Sequence, residues 1–323
     1  MINAYDLRDG LLRLQSTAST DLRKADWLDL VTPTVAEESE VEAALGINVP
    51  TRAEMEEIEI SSRLFYESGT AYMTATLPSQ TDTDEPELAP VTFVLCGQQL
   101  ITVRYHEPRA FKTLPLRAAK VAVAGGDGTS VLVVLLELQI DRLADVLERA
   151  GRDIQALSGQ VFQRRGSRSG KSADFRSILE AIGSEGDLIS NLLECLVSLE
   201  RMFGFLNHHI HQRHDGSDLR GRVKTLSRDC RSLVDHAGSL THKVTFLLDA
   251  TLGLINIEQN AIIKIVSVAA AVFLPPTLVA SIYGMNFAHM PELAWLLGYP
   301  FALVLIAISA IVPYWFFKRR GWL

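Results

Sequence analysis

The chain has 323 residues, 48% hydrophobic and 21% charged, with a formal net charge of −7. That allows two or three domains of ordinary size and excludes a disordered chain, and the acidic balance excludes a general nucleic-acid binder, which needs basic charge to neutralise phosphates. Three cysteines (Cys96, Cys195 and Cys230) with no CxxC pairing exclude a disulfide scaffold and a cysteine zinc finger.

The N-terminus, Met1 to Gly10, carries Asp6, Arg8 and Asp9 without an apolar core, so it does not read as a signal peptide, and the bulk of the chain is expected on the side where it is made. Residues 1–125 read as a mixed α/β domain. Strands are expected at Trp27–Val31, Arg63–Glu67, Ala71–Leu77, Val91–Cys96 and Leu100–Tyr105, where β-branched and aromatic residues concentrate. Thr34–Leu45 reads as a helix with Glu37 and Glu38 in its first turns, and Thr51–Ile58 as a shorter one. Gln80–Pro90, with four acids and two prolines, reads as an exposed loop, and Gly125-Gly126-Asp127-Gly128 as a linker or tight turn.

From Ser130 the pattern becomes helical. Val131–Leu157 and Ala173–Leu206 carry apolar residues at three- and four-residue spacing, separated by a break at Gly159–Gly170. After a turn at Asp215–Ser217, Leu219–Ile282 reads as one helix of about 64 residues, interrupted only mildly by Gly238 and Gly253. Its length of roughly 95 Å exceeds a membrane span, so it is expected to leave the bilayer as a stalk.

No charge occurs between Ile265 and Ala288, nor between Leu293 and Phe317. Each run is long enough to cross a hydrocarbon core of about 30 Å, and backbone in lipid must satisfy itself as helix. Lys318, Arg319 and Arg320 follow the second run, whereas the connection Gly284–Glu292 has no Lys or Arg, which places both termini in the cytoplasm and the connection outside. Trp295, Tyr299, Tyr314, Trp315 and Trp322 fall near the expected interfaces. The competing reading is a helical hairpin buried in a soluble protein. The division expected is a cytoplasmic α/β domain (1–125), a helical and stalk region (126–258) and a transmembrane domain (259–323). The last comprises a first span over about 262–283, an outer loop over 284–292 and a second span over about 293–317.

Within the first span, Asn260, Ile263, Ser267, Ala270, Leu274, Thr277 and Ser281 recur by threes and fours, the period of a helix facing a bundle axis. The stripe is mostly small or polar. It fits a pore wall, and it fits small-residue helix packing equally well. Two spans cannot enclose a path, so a pore requires several copies around an axis. No Asp, Glu or His lies in the span to serve proton coupling. Ile263 and Leu274 are placed to narrow a path and close it by dewetting. The span ends Tyr283-Gly284-Met285-Asn286-Phe287, where Gly284 suits a sharp turn and Asn286 offers an amide oxygen at the mouth. A ring of such oxygens suits Mg²⁺, which sheds its waters reluctantly. Glu292 adds attraction for cations.

Tyr283-Gly284-Met285-Asn286 closing the first of two C-terminal spans, followed by Met290-Pro291-Glu292-Leu293, resembles the signature of the CorA family of Mg²⁺ transporters and channels. Asn256-Ile257-Glu258-Gln259-Asn260, Phe273-Leu274-Pro275-Pro276-Thr277 and the terminal Lys318-Arg319-Arg320-Gly321-Trp322-Leu323 are also similar to its bacterial members, so the resemblance is strong over roughly 244–323. Upstream it is weaker, carried best by Trp27-Leu28-Asp29-Leu30 and Thr51-Arg52-Ala53-Glu54-Met55-Glu56. The resemblance implies a funnel-shaped homopentamer in the inner membrane with an α+β cytoplasmic domain, a long stalk helix lining the pore and an outer second span. It implies a selectivity ring of Gly284, Met285 and Asn286, a second polar ring at Asn260, and a hydrophobic gate at Ile263 and Leu274. It also implies that Mg²⁺ is both the ion carried and, bound between cytoplasmic domains, the signal that shuts the channel. Those regulatory carboxylates do not map residue by residue, because Lys224, Arg228 and Arg231 surround Thr225 on the lower stalk; Asp235, Asp249 and Glu258 are the alternatives.

Other signals carry less. Gly166-Ser167-Arg168-Ser169-Gly170-Lys171-Ser172 has three residues between its glycines where a phosphate loop needs four, and no strand precedes it. His208, His209, His211 and His214 cluster before a turn, and His208 with His211 could share a face toward Zn²⁺ or Ni²⁺, but no cysteine stands nearby. Glu54–Glu59 read as the polar face of a short helix, with Mg²⁺ at a subunit boundary as the other use. No catalytic arrangement stands out, so no enzyme and no organic cofactor are expected. The function expected is passive, potential-driven Mg²⁺ uptake, with Co²⁺ and Ni²⁺ as further cargo. The rivals are a proton-coupled Zn²⁺ transporter on the same scaffold and a non-conducting membrane-anchored sensor.

Overall fold

The computed structural model describes residues 1–15, 21–83, 86–123, 125–163, 175–213, 217–286, 291 and 295–322. The chain divides into two compact units, Met1–Leu248 and Asp249–Leu323.

The first unit is built on a seven-stranded sheet in the order β2-β1-β3-β7-β6-β5-β4. Its strands are β1 (Ile2–Arg8), β2 (Leu11–Leu14), β3 (Trp27–Val31), β4 (Leu64–Glu67), β5 (Thr70–Ser79), β6 (Glu87–Cys96) and β7 (Gln99–Arg104). Only β3 and β7 pair parallel, with Trp27 opposite Leu100 and Asp29 opposite Thr102; all other neighbours are antiparallel. The five expected strands are present. β1 and β2 add an unexpected edge, and β6 begins at Glu87, inside the expected loop, because Ser79 to Thr76 of β5 pair with Glu87 to Pro90. Within that stretch, Asp82 is bound by Arg109 at 2.8 Å, Arg142 at 2.6 Å and Arg149 at 3.1 Å.

One face of the sheet is covered by α1 (Val35–Leu45) and by α2 (Arg52–Met55), which packs near α3 (Ile60–Arg63); Leu28, Leu30, Val41, Met55, Tyr72 and Ile101 share this core. Both α1 and α2 start with reciprocal capping boxes, Thr34 with Glu37 and Thr51 with Glu54. The acids of the second short helix therefore have structural work: Glu54 closes a cap and Glu56 pairs with Arg52 at 2.9 Å. The other face is covered by α4 (Arg109–Ala118), α5 (Gly128–Gln163) and α6 (Phe175–Arg213), with α6 against β5 and α5 against β7. Ser198 of α6 accepts the backbone N–H of Thr76 at 3.0 Å. Because both faces are covered, β3 is buried along Trp27–Leu30, including the polar Asp29. Asp29 is satisfied there by Arg104, at 2.9 and 3.0 Å, and by the Thr102 hydroxyl at 2.9 Å.

Helix α7 (Ser217–Tyr283) has 67 residues, and α8 (Gly298–Arg319) has 22. Within the first unit, Val223, Leu226, Cys230, Ala237, Leu240 and Leu247 of α7 are buried at steps of three, four and seven. That face meets α5 and α6: Arg222 pairs with Glu137 at 2.8 Å, the Cys230 thiol donates to the Leu196 carbonyl at 3.3 Å, and Arg231 pairs with Glu200 at 2.7 Å. The glycine-rich turn is real, with Gly125 and Gly126 at φ of 122° and 81°, and a Cβ on Gly125 would meet the Ser130 hydroxyl.

Candidate ion pathway

The second unit contains the end of α7 and the whole of α8. Among the described residues, two helices are long and apolar enough to cross a membrane, α7 and α8. Pro275 and Pro276 lie inside α7 and do not end it. Having no N–H, they leave the carbonyls of Ala271 and Val272 without their usual helical donors. At the next residue, the Thr277 hydroxyl donates to the Phe273 carbonyl at 2.7 Å.

Each of the two helices is more buried on one side than on the other. On α7, Val268 is buried, and Ala271, Val272, Pro275, Pro276, Val279 and Tyr283 are half-buried. On α8, Gly298 and Ala302 are buried, and Ile306, Ser309, Ala310, Pro313 and Phe317 are half-buried. Lys264 of α7 lies 6.0 Å from the Trp322 ring beyond the end of α8. At 100° per residue, the stripe Asn260, Ile263, Ser267, Ala270, Leu274, Thr277 and Ser281 is centred roughly 150° around α7 from the more buried face. All seven residues are exposed in the single chain, Ile263 at 60% and Leu274 at 65%. Helix packing within the chain thus uses other residues.

At the end of α7 the Gly284 N–H donates to the Ala280 carbonyl at 3.0 Å and the Met285 N–H to the Ile282 carbonyl at 3.2 Å. Gly284 is not in the left-handed region. Its backbone instead comes close to the preceding turn: a Cβ there would lie 3.2 Å from the Ala280 oxygen. Close approach, rather than a sharp turn, accounts for the glycine. Gly284, Met285 and Asn286 are all exposed, and among the described residues none hydrogen-bonds the Asn286 amide. Glu292 lies outside the described residues, and α8 begins at Gly298, later than the uncharged run from Leu293 suggests.

Of the candidate regulatory acids, Asp235 belongs to the first unit, and Asp249 and Glu258 to the second. Asp249 and Glu258 are separated by nine residues, about 13 Å of helix, too far for one ion. Among the described residues no group of three or more His, Cys, Asp or Glu is arranged to hold a metal. The histidine cluster disperses: His209 is buried and stacks on Tyr66 at 5.7 Å, while His208 and His211 stay exposed. His214 and the phosphate-loop-like segment lie outside the described residues. Lys264 is the residue that sequence reasoning passed over; its place one residue before the uncharged run was the available signal.

A large α/β unit joined in sequence to a long helix and a short second apolar helix is the build of a two-span membrane protein. The family described as CorA-like Mg²⁺ transporter protein matches residues 23–319, and the chain belongs to that family. It is 37% identical over 324 residues to the magnesium transport protein CorA of Pasteurella multocida strain Pm70, covering all of both chains. Its fold is similar to the complete structure of the CorA magnesium transporter of Methanocaldococcus jannaschii, with a TM-score of 0.77 at 18% identity over 100% of this chain and 99% of that one. It is less similar to the ZntB cytoplasmic domain of Vibrio parahaemolyticus, with a TM-score of 0.56 at 9% identity over 79% of this chain and 97% of that one.

Proposed function

We propose that the protein is a passive Mg²⁺ uptake channel, assembled as a homopentamer in the inner membrane with both termini in the cytoplasm. The observation that carries this reading is the exposed stripe on α7. It lies away from the more buried face of α7 and runs up to the exposed Gly284-Met285-Asn286. Membership of the family and the magnesium-transport names of full-length relatives support Mg²⁺ as the ion.

In this reading, copies of α7 surround the path and α8 stands outside. Asn286 amide oxygens meet the ion through its water shell, because Mg²⁺ loses water reluctantly. Glu292 attracts cations to the mouth. Ser281, Thr277, Ala270 and Ser267 form a narrow, weakly polar wall, and Asn260 gives a second amide ring. The Thr277 hydroxyl donates to its own helix, so its oxygen lone pairs face the path as acceptors for the ion's water. Leu274 and Ile263 close the path by dewetting. Co²⁺ and Ni²⁺, similar in size and hydration, follow the same route. Cytoplasmic Mg²⁺ held between neighbouring subunits shuts it, and the carboxylates for this belong on surfaces that a second copy completes, with Asp235, Asp249 and Glu258 as candidates. A potential of about 100 mV supplies roughly 2.3 kcal/mol per charge, and twice that for a divalent ion, so uptake needs no ATP.

The test is Mg²⁺ uptake by cells or proteoliposomes carrying Asn286→Ala, with the oligomer monitored by cross-linking. Uptake is lost while the oligomer persists. Unchanged uptake removes Asn286 from the selectivity ring.

A further inference from the structure

The hairpin end opposite the Gly-Met-Asn loop gathers four cations from two helices. Lys264 comes from α7, and Lys318, Arg319 and Arg320 come from the end of α8. Each lies against an aromatic ring. Lys264 is 6.0 Å from the Trp322 centroid, Lys318 5.8 Å from Tyr314, Arg319 5.1 Å from Trp315 and Arg320 4.8 Å from Phe316. The rings are themselves exposed, Trp315 by 59%. Among the described residues, no carboxylate pairs with any of the four cations.

Cations whose only task is to set topology need neither a contribution from the other helix nor an aromatic partner for each. Unneutralised cations held on aromatic rings at the membrane boundary call for an anionic ligand at that depth. Two to three turns before Arg319 on α8, Ile308, Ile311 and Val312 are exposed and apolar. That surface suits an acyl chain, which distinguishes an amphiphile from a free anion. We infer that Lys264, Lys318, Arg319 and Arg320 form a binding site for the phosphate headgroup of an anionic phospholipid, whose chains lie along α8. The inference requires only that both helices cross a membrane, not that ions pass, so it stands or falls separately from the channel reading.

The experiment is native mass spectrometry of the full-length protein in mild detergent, titrated with phosphatidylglycerol or phosphatidylcholine, with sodium phosphate as competitor. Each cation near the surface contributes roughly fivefold to affinity for anionic lipid. Phosphatidylglycerol is retained preferentially, the preference falls by roughly 100-fold in Lys264→Gln/Arg319→Gln/Arg320→Gln, and it survives in Arg152→Gln/Arg176→Gln, a control of surface arginines elsewhere. Equal retention of both lipids, or unchanged retention in the triple variant, overturns the site. Displacement of lipid by sodium phosphate assigns the cluster to a free anion and overturns the headgroup assignment. If the triple variant fails to fold, Arg319→Gln alone is reconstituted with brominated phosphatidylglycerol in phosphatidylcholine. Tryptophan quenching then exceeds that of an equal fraction of brominated phosphatidylcholine in the wild type and drops in the variant; equal quenching by the two lipids in the wild type again overturns the site.

Discussion

Asp29→Ala tests how the first unit tolerates a charge in its centre. Asp29 and Arg104 are 3% and 6% exposed, joined by two hydrogen bonds of 3.0 and 2.9 Å. The Thr102 hydroxyl donates to the same carboxylate, and the Trp27 indole donates to that hydroxyl at 3.0 Å. Arg104 also donates to the His106 carbonyl at 2.8 Å and lies 4.8 Å over the Phe111 ring. Removing the carboxylate strands a guanidinium that cannot reach water, at a cost of about 3–5 kcal/mol. For a unit of this size that lowers the melting temperature by roughly 6–20 °C. In Asp29→Ala/Arg104→Met no charge is stranded, and the methionine fills the space beside Phe111, so the double variant recovers much of the loss. The assay is urea unfolding of the full chain in detergent, followed by the fluorescence of the buried Trp27. A single-variant loss below about 1 kcal/mol, or a double variant less stable than the single, refutes the reasoning.

Three other outcomes follow from the geometry. Gly284→Ala places a Cβ 3.2 Å from the Ala280 carbonyl and displaces the Met285-Asn286 turn, so Mg²⁺ flux in proteoliposomes falls severalfold without loss of the oligomer. Leu274→Asn wets the proposed constriction and raises resting Mg²⁺ leak at high internal Mg²⁺; an unchanged leak removes Leu274 from the gate. Burial pushes the imidazole pKa of His106 down, with its Nε2 2.9 Å from the Leu77 carbonyl. The unfolded chain therefore binds a proton first as pH falls below about 6.5, so stability declines with acidification through that region and is full above it. His106→Gln flattens this slope between pH 7.5 and 5, measured by urea unfolding at each pH.

The α/β core was legible where its chemistry was local. β3, β5 and β7 announced themselves through β-branched and aromatic runs, and α1 through Glu37 and Glu38 in its first turns. β1 was not legible because Asn3, Asp6 and Arg8 dilute its pattern and only Ala4 is buried. α4 was hidden by Pro115 and three basic residues, though its apolar side buries Phe111 and Leu114. The polar character of Asp29 gave no hint of burial, since its partner lies 75 residues away. In the second unit, an absence of charge marks an apolar run but not where its helix begins: the run starts at Leu293 and α8 at Gly298. The stripe on α7 was visible from spacing alone. That it stays exposed, while Val268 on the opposite side is buried, is not encoded in spacing.

The central claim is tested most directly by Mg²⁺ entry into proteoliposomes containing a fluorescent indicator, under an inside-negative potential and no pH gradient. The account predicts entry that scales with the potential and is lost in Asn286→Ala. No Mg²⁺ entry under the potential, with Zn²⁺ entry appearing only when a proton gradient is imposed, would contradict it and assign the scaffold to coupled zinc transport.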